Sequence, residues 1–198
     1  MPFEEERRVF RRGGGLLRTS AALRAGIHPR TLYAMRDCGV VQRLGRGLYR
    51  LTDLPPLKNP DLATVAASIP GAVVCLISAL AFHEMTTQIP HEVHVALRRG
   101  AEPPRIKDPP LRIFWFTGNS FTKGIETRRL DGTRLRVYSP EKTLADCFKY
   151  RNKLGLDIVL EALKLYRTRK RLRVDDLMTF GRVCRVERVM RPYLEALL

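Results

Sequence analysis

The sequence predicts an α+β protein with an N-terminal winged helix-turn-helix and a C-terminal α+β domain. Three observations point there. Thr19 to Leu51 spells two short helices and a glycine-tipped hairpin, a proline-rich stretch follows it, and the remainder reads as helices, a small mainly antiparallel sheet and a helical tail. The expected division is residues 1–54, a DNA-binding domain, and residues 55–198, a larger α+β domain.

Glu4 to Arg12 reads as a first helix, ended by Gly13-Gly14-Gly15. In the next segment Ala22 and Leu23 supply the inner face of one short helix, Ile27 packs a turn at Gly26, and Leu32 and Met35 recur at helical spacing in a second helix. His28 is placed to cap that second helix. Pro29 suits its first position, where a missing N–H costs nothing, and Gly39 ends it. With Leu32 and Met35 inside, His28, Arg30, Thr31, Tyr33, Ala34 and Arg36 remain on the outer face. Two strand-like runs, Val40 to Leu44 and Leu48 to Leu51, flank Gly45-Arg46-Gly47, so Arg46 sits at the tip of a tight turn between Arg43 and Arg50.

Asp53 to Pro60 carries three prolines in eight residues and reads as a linker. Beyond it, Asp61 to Ile69 and Val74 to Met85 are expected helices. Glu92 to Leu97, Leu111 to Phe116, Glu126 to Leu130 and Thr133 to Tyr138 are expected strands, the last two joined by the hairpin signal Asp131-Gly132. Ser139-Pro140-Glu141 announces a helix with Leu144, Cys147 and Phe148 on its inner face. About Asp157 to Arg167 forms another helix. A last one starts at Asp175 or Asp176 and continues to the end of the chain.

The 198 residues carry a net charge of +16, and 44% are hydrophobic, so a packed core is expected together with a polyanionic partner. Residues 1–52 concentrate the signal: eleven arginines and no lysine stand against four acidic residues, a net charge of +7. The planar guanidinium fork suits phosphate and guanine, which favours DNA over a merely solvated surface. The candidate DNA contacts are Arg18, Ser20, His28, Arg30, Thr31, Tyr33, Arg36, Arg43, Arg46 and Arg50. The run Arg167-Thr168-Arg169-Lys170-Arg171-Leu172-Arg173, five cations in seven residues, is a candidate second polyanion contact, with a solvated loop as the plainer alternative.

Other chemistries find little support. The most apolar stretch, Ala72 to Phe82, is too short to span a bilayer, and the opening glutamates and arginines are unlike a signal peptide. Cys38, Cys75, Cys147 and Cys184 stand singly, as expected of buried reduced thiols in a cytoplasmic protein. His91 and His94 fall on opposite faces of a strand, so even with His83-Glu84 nearby no metal site is expected. A metal-dependent nuclease would need an acidic pair, yet Asp131 serves a turn and Glu141 a helix start. No phosphate-cradling glycine loop or serine nucleophile motif stands out. Neither catalysis nor a cofactor is expected.

Five pieces occur in order along the chain: G-x-x-x-R-T-L-Y-x-M (Gly26 to Met35), R-L-G-R-G-L-Y-R-L (Arg43 to Leu51), S-A-L-A-F-H-E-M-T-T-Q-I-P (Ser78 to Pro90), the Ser139 to Gly155 segment, and R-V-x-x-V-M-R-P-Y-L-E-A-L near the end. Together they resemble the AbiEi antitoxin family of type IV toxin–antitoxin systems, over nearly the whole chain. The resemblance implies a bacterial abortive-infection, or phage-defence, protein whose winged helix binds inverted repeats in its own promoter and represses the operon. It also implies a C-terminal domain needed for antitoxicity and a nucleotidyltransferase-like toxin as functional partner, without a stable complex. Two alternatives stay open: an antitoxin that neutralises its toxin by direct contact, and a free-standing regulator without a toxin. Both a monomer and a weak dimer are compatible with the sequence.

Overall fold

Three glutamates in the first turn and two arginines in the last make α1 (Glu4–Arg12) a helix whose charges complement its own dipole. It buries Phe10. In the computed structural model, which describes residues 2–169 and 172–196, α1 is followed by β1 (Leu16–Arg18), α2 (Thr19–Arg24), α3 (Pro29–Asp37), β2 (Val41–Gly45), β3 (Leu48–Leu51) and α4 (Pro60–Ser68). The strands form an antiparallel sheet in the order β1-β3-β2, with Leu17 opposite Tyr49 and Val41 opposite Leu51. Phe10, Ala22, Ile27, Leu32, Met35, Val41, Tyr49 and Leu51 make one core, while Leu16, Leu48 and Ala63 of α4 make a smaller second cluster. Each fully buried Leu or Met contributes about 1.5–3 kcal/mol, so Leu32 and Met35 anchor α3 firmly.

Leu23 and Cys38 depart from the sequence reading. Leu23, expected inside, is 40% exposed, and Ala22 alone supplies the buried residue of the short α2. Cys38, expected buried, is exposed just beyond α3, whereas the other three cysteines are buried. Gly39 follows with φ +70°, the left-handed conformation that lets the chain leave α3 at low cost.

The chain divides into two compact units. The first comprises Met1–Pro70, Pro104–Pro109 and Thr127–Leu135; the second comprises Gly71–Pro103, Pro110–Glu126 and Arg136–Leu198. Within the first, Lys58 and Asn59 donate their backbone N–H groups to Asp131 Oδ2 at 3.0 and 3.4 Å. The backbones of Gly14 and Gly132 touch so closely that a Cβ on either would collide with the other.

The remaining elements are β4 (Val73–Val74), α5 (Leu76–Phe82), β5 (Val93–Arg98), β6 (Leu111–Phe116), α6 (Gly118–Thr122), β7 (Ile125–Leu130) and β8 (Thr133–Tyr138). Helices α7 (Pro140–Lys149), α8 (Arg151–Leu154), α9 (Leu156–Arg169), α10 (Val174–Cys184) and α11 (Glu187–Glu195) follow. The sheet order is β6-β5-β4-β8-β7. The sheet is mixed rather than mainly antiparallel: β4 runs antiparallel to β5, but β5 with β6 and β4 with β8 are parallel. The β7–β8 turn places Asp131 and Gly132 at φ +48° and +77°, as a two-residue hairpin turn requires. The expected single terminal helix is broken at Arg185, which takes a left-handed conformation between α10 and α11. Helix α7 is buried from Pro140 to Phe148, among Leu80, Phe116, Leu163, Tyr166 and Leu177 of the same core.

Candidate nucleic-acid interface

Helix α3 starts as its residues require. The Arg30 backbone N–H donates to His28 Nδ1 at 3.2 Å, which makes Nδ1 the acceptor nitrogen, and Pro29 occupies the first turn. Leu32 and Met35 are fully buried, and that choice of face turns Arg30, Tyr33 and Arg36 outward along one stripe. Thr31 and Ala34 are half-buried at its margins, and His28 is exposed.

The two arginines of the stripe differ. Arg36 is held by Asp37, with Nε and a terminal nitrogen 2.8 and 2.7 Å from Oδ1, and its guanidinium lies 5.3 Å from the Tyr33 ring centroid. Arg30 has no such side-chain partner among the described residues. A guanidinium on the first turn of an exposed helix is therefore open for a bidentate contact at Arg30 and already oriented by a carboxylate at Arg36.

The β2–β3 hairpin presents Arg46 at its tip, exposed, between Gly45 and Gly47. The turn is pinned to the start of α2: the Thr19 N–H and hydroxyl donate to the Gly47 carbonyl at 2.8 and 3.3 Å. A bulge between Arg43 and Gly45 lets exposed Arg43 donate to the Gly45 carbonyl at 3.1 Å. Arg18 is exposed and donates to the Ser68 carbonyl at 3.0 Å; Ser20 is exposed beside it.

Arg50 is a correction to the sequence reading. It is only 6% exposed, because β3 is the central strand of its sheet, and it donates to the carbonyls of Leu51 and Pro55. It ties the chain where β3 ends and offers no surface contact.

Arg167 is exposed at the end of α9, and Arg173 is committed to Asp176 at 2.5 Å and lies 3.9 Å from Glu141. Lys170 and Arg171 lie outside the described residues, as does the side chain of Arg169.

Two groupings escaped sequence reasoning. One is the loop Pro104–Pro109, whose Arg105 and Lys107 line a cavity together with Arg18 and Arg46. The other is a buried polar cluster on α7. Lys142 Nζ meets Asp146 Oδ2 at 2.5 Å, the Cys184 thiol donates to Asp146 Oδ1 at 3.2 Å, and the Tyr166 hydroxyl donates to Glu141 at 2.8 Å. Lys142 Nζ also sits 4.1 Å from the Tyr138 ring centroid, within cation–π range. Burial pushes the Asp146 carboxyl up while Lys142 pulls it down, and burial with the neighbouring Asp146 pushes the Cys184 thiol up to about 12. A protonated thiol and a sealed ion pair are inert toward substrates, so this cluster organises the core.

His94 is buried on β5 and His91 is exposed. Among the described residues no group of three or more His, Cys, Asp or Glu is placed to hold a metal ion, and no helix is long and apolar enough to cross a membrane.

Residues 4–52 match the AbiEi antitoxin family of transcriptional regulators. The AbiEi match begins with α1 and closes one residue after β3, so it takes in the capped helix, its exposed stripe and the hairpin. The fold is also similar to that of the RV2827C protein from Mycobacterium tuberculosis, with a TM-score of 0.56 at 15% identity. That similarity covers 83% of this chain and 65% of the other, so the chain spans just under two thirds of that protein's length. No curated protein matches the chain.

Proposed function

We propose that this chain is a sequence-specific transcriptional repressor and a type IV antitoxin, acting in the bacterial cytoplasm. In this reading residues 1–54 form a winged helix-turn-helix. Helix α3 enters a major groove with Arg30 reading a base edge, Thr31, Tyr33 and His28 beside it, and Arg36 near the backbone. The β2–β3 hairpin is the wing, carrying Arg46 into the adjacent minor groove, with Arg43, Arg18 and Ser20 meeting phosphates.

The observation that carries the reading is the arginine-bearing outer stripe of α3, on a helix whose inner face is fully buried, inside a segment that matches AbiEi regulators. Residues 55–198 are proposed to carry antitoxicity toward a nucleotidyltransferase-like toxin, without a stable complex, and the chain is proposed to bind as a monomer or weak dimer.

Titration of the full chain onto duplex DNA from upstream of its own gene tests the DNA part. Binding should exceed that to unrelated duplex and weaken steeply with salt, because displaced counterions make affinity fall by a power of the salt concentration. Equal affinity for both duplexes would remove the claim of specificity. Co-expression with the neighbouring toxin tests the antitoxin part: growth should be rescued without co-purification.

A further inference from the structure

The first unit contains a cavity of about 620 Å³ between the β2–β3 turn, the start of α2, the end of α4 and the loop Pro104–Pro109. Four cations line it, Arg18, Arg46, Arg105 and Lys107, against one acidic residue, Asp108. Two of these lie in the AbiEi-matching segment; Arg105 and Lys107 come from a loop more than fifty residues further along the chain.

We propose that this cavity is a phosphate-binding cleft that seats the DNA backbone beside the hairpin, so that the loop Pro104–Pro109 is a further arm of the interface. The inference rests on the DNA-binding reading above and adds residues from outside it.

Charge is the first support. A cleft with three net positive charges concentrates anions, and guanidinium and ammonium groups are the side chains that hold phosphate oxygens. Rigidity is the second. The loop is bracketed by Pro103-Pro104 and Pro109-Pro110, whose rings restrict the backbone that carries Arg105 and Lys107. Construction is the third: Arg18 is fixed by the Ser68 carbonyl, and the turn bearing Arg46 is fixed by Thr19, so the wall opposite the loop is preset. The cavity also adjoins Arg46, where the backbone of a bound duplex would run if the hairpin tip enters a groove.

The ligand chemistry is a phosphate group, which could also be supplied by a free nucleotide, and the experiment separates the two. Binding of the full chain to the upstream duplex is measured from 50 to 300 mM salt for the wild type and for the double variant Arg105→Gln, Lys107→Gln. Lys153→Gln, Lys164→Gln serves as a control of equal charge, since both lysines are exposed on helices of the second unit. The loop variant should reduce the slope of log affinity against log salt by about 1–2, near 0.9 for each phosphate no longer neutralised, with the preference for upstream over unrelated DNA retained. The control should leave the slope as in the wild type.

An unchanged slope in the loop variant, or an equal reduction in the control, would overturn the proposal. If the wild type binds and Arg30→Ala erases its preference while the loop variant changes nothing, this inference alone falls. If the wild type binds no duplex, the DNA reading falls and takes the inference with it. ATP and inorganic phosphate are titrated in parallel: sub-millimolar binding that needs Arg105 and Lys107, with an unmoved DNA slope, would assign the cleft to a free phosphate ligand instead.

Discussion

Helices α3 and α7 begin in the same way and meet opposite surroundings. Each has a side chain accepting a backbone N–H at its start, His28 from Arg30 and Ser139 from Lys142, and each carries proline in its first turn. In α3 only Leu32 and Met35 are buried, and the polar residues face outward. In α7 even Glu141, Lys142 and Asp146 are buried, each with a partner from the same helix or from residues 25 to 38 positions away. A cap and a proline say where a helix starts; the number of elements packed around it decides whether its charges serve a partner molecule or the protein's own core. Substituting polar residues should accordingly cost stability on α7 and DNA binding on α3.

The largest effect is expected on α7. Asp146→Ala would leave Lys142 charged and unpaired in a dry core, a loss of about 3–5 kcal/mol. Replacing both partners, Lys142→Met with Asp146→Leu, should recover most of that loss, because an ion pair exchanged for apolar groups of similar volume is often neutral. Urea unfolding of the full chain measures both. A single variant within about 0.5 kcal/mol of the wild type would break the contrast between the two helices.

A smaller effect belongs to pH and sharpens the same point on β5. Burial holds the His94 imidazole below its ordinary value of 6.5, against the opposing influence of Glu92; Arg112 adds to the lowering, and the ring packs on Phe114. The fold prefers the neutral ring, so the stabilisation is fully present above 6.5 and is lost as pH falls from there toward the depressed folded value. Urea midpoints between pH 7.5 and 5 should therefore drop less steeply in His94→Gln than in the wild type. Identical slopes would remove His94 from the account.

Cysteine accessibility gives the smallest effect, since it need not change stability at all. A thiol-reactive chromophore should label Cys38 in the native chain and reach Cys75, Cys147 and Cys184 only on unfolding. Labelling of Cys184 at the rate of Cys38 would contradict the sealed cluster around Asp146.

The same contrast explains what could be read from the sequence. Helices α1 and α3 and the β2–β3 hairpin were legible because their determinants are local: charges along α1, a cap and proline at His28-Pro29, and glycines at 39 and 47 with positive φ. What hid was non-local. β1 and β4 are three and two residues long and exist only through pairing with β3 and with β5 and β8. Arg50 looked available because its neighbours are arginine-rich, yet the central position of β3 encloses it. Glu141, Lys142 and Asp146 carry no sequence sign of burial, since Tyr166 and Cys184, two of their partners, lie far along the chain. Arg105 and Lys107 reach the arginines of the hairpin region only through folding.

In the proposed complex α3 reads base edges in the major groove, while Arg46 at the hairpin tip adds affinity from the minor groove with little sequence preference. The full chain, Arg30→Ala and Arg46→Ala are titrated onto the upstream duplex and an unrelated duplex at fixed salt. Arg30→Ala should lose about 1–3 kcal/mol of discrimination between the duplexes, whereas Arg46→Ala should weaken both by a similar factor. If Arg30→Ala binds both duplexes as the wild type does, with discrimination intact, α3 is not the reading helix and the account is contradicted.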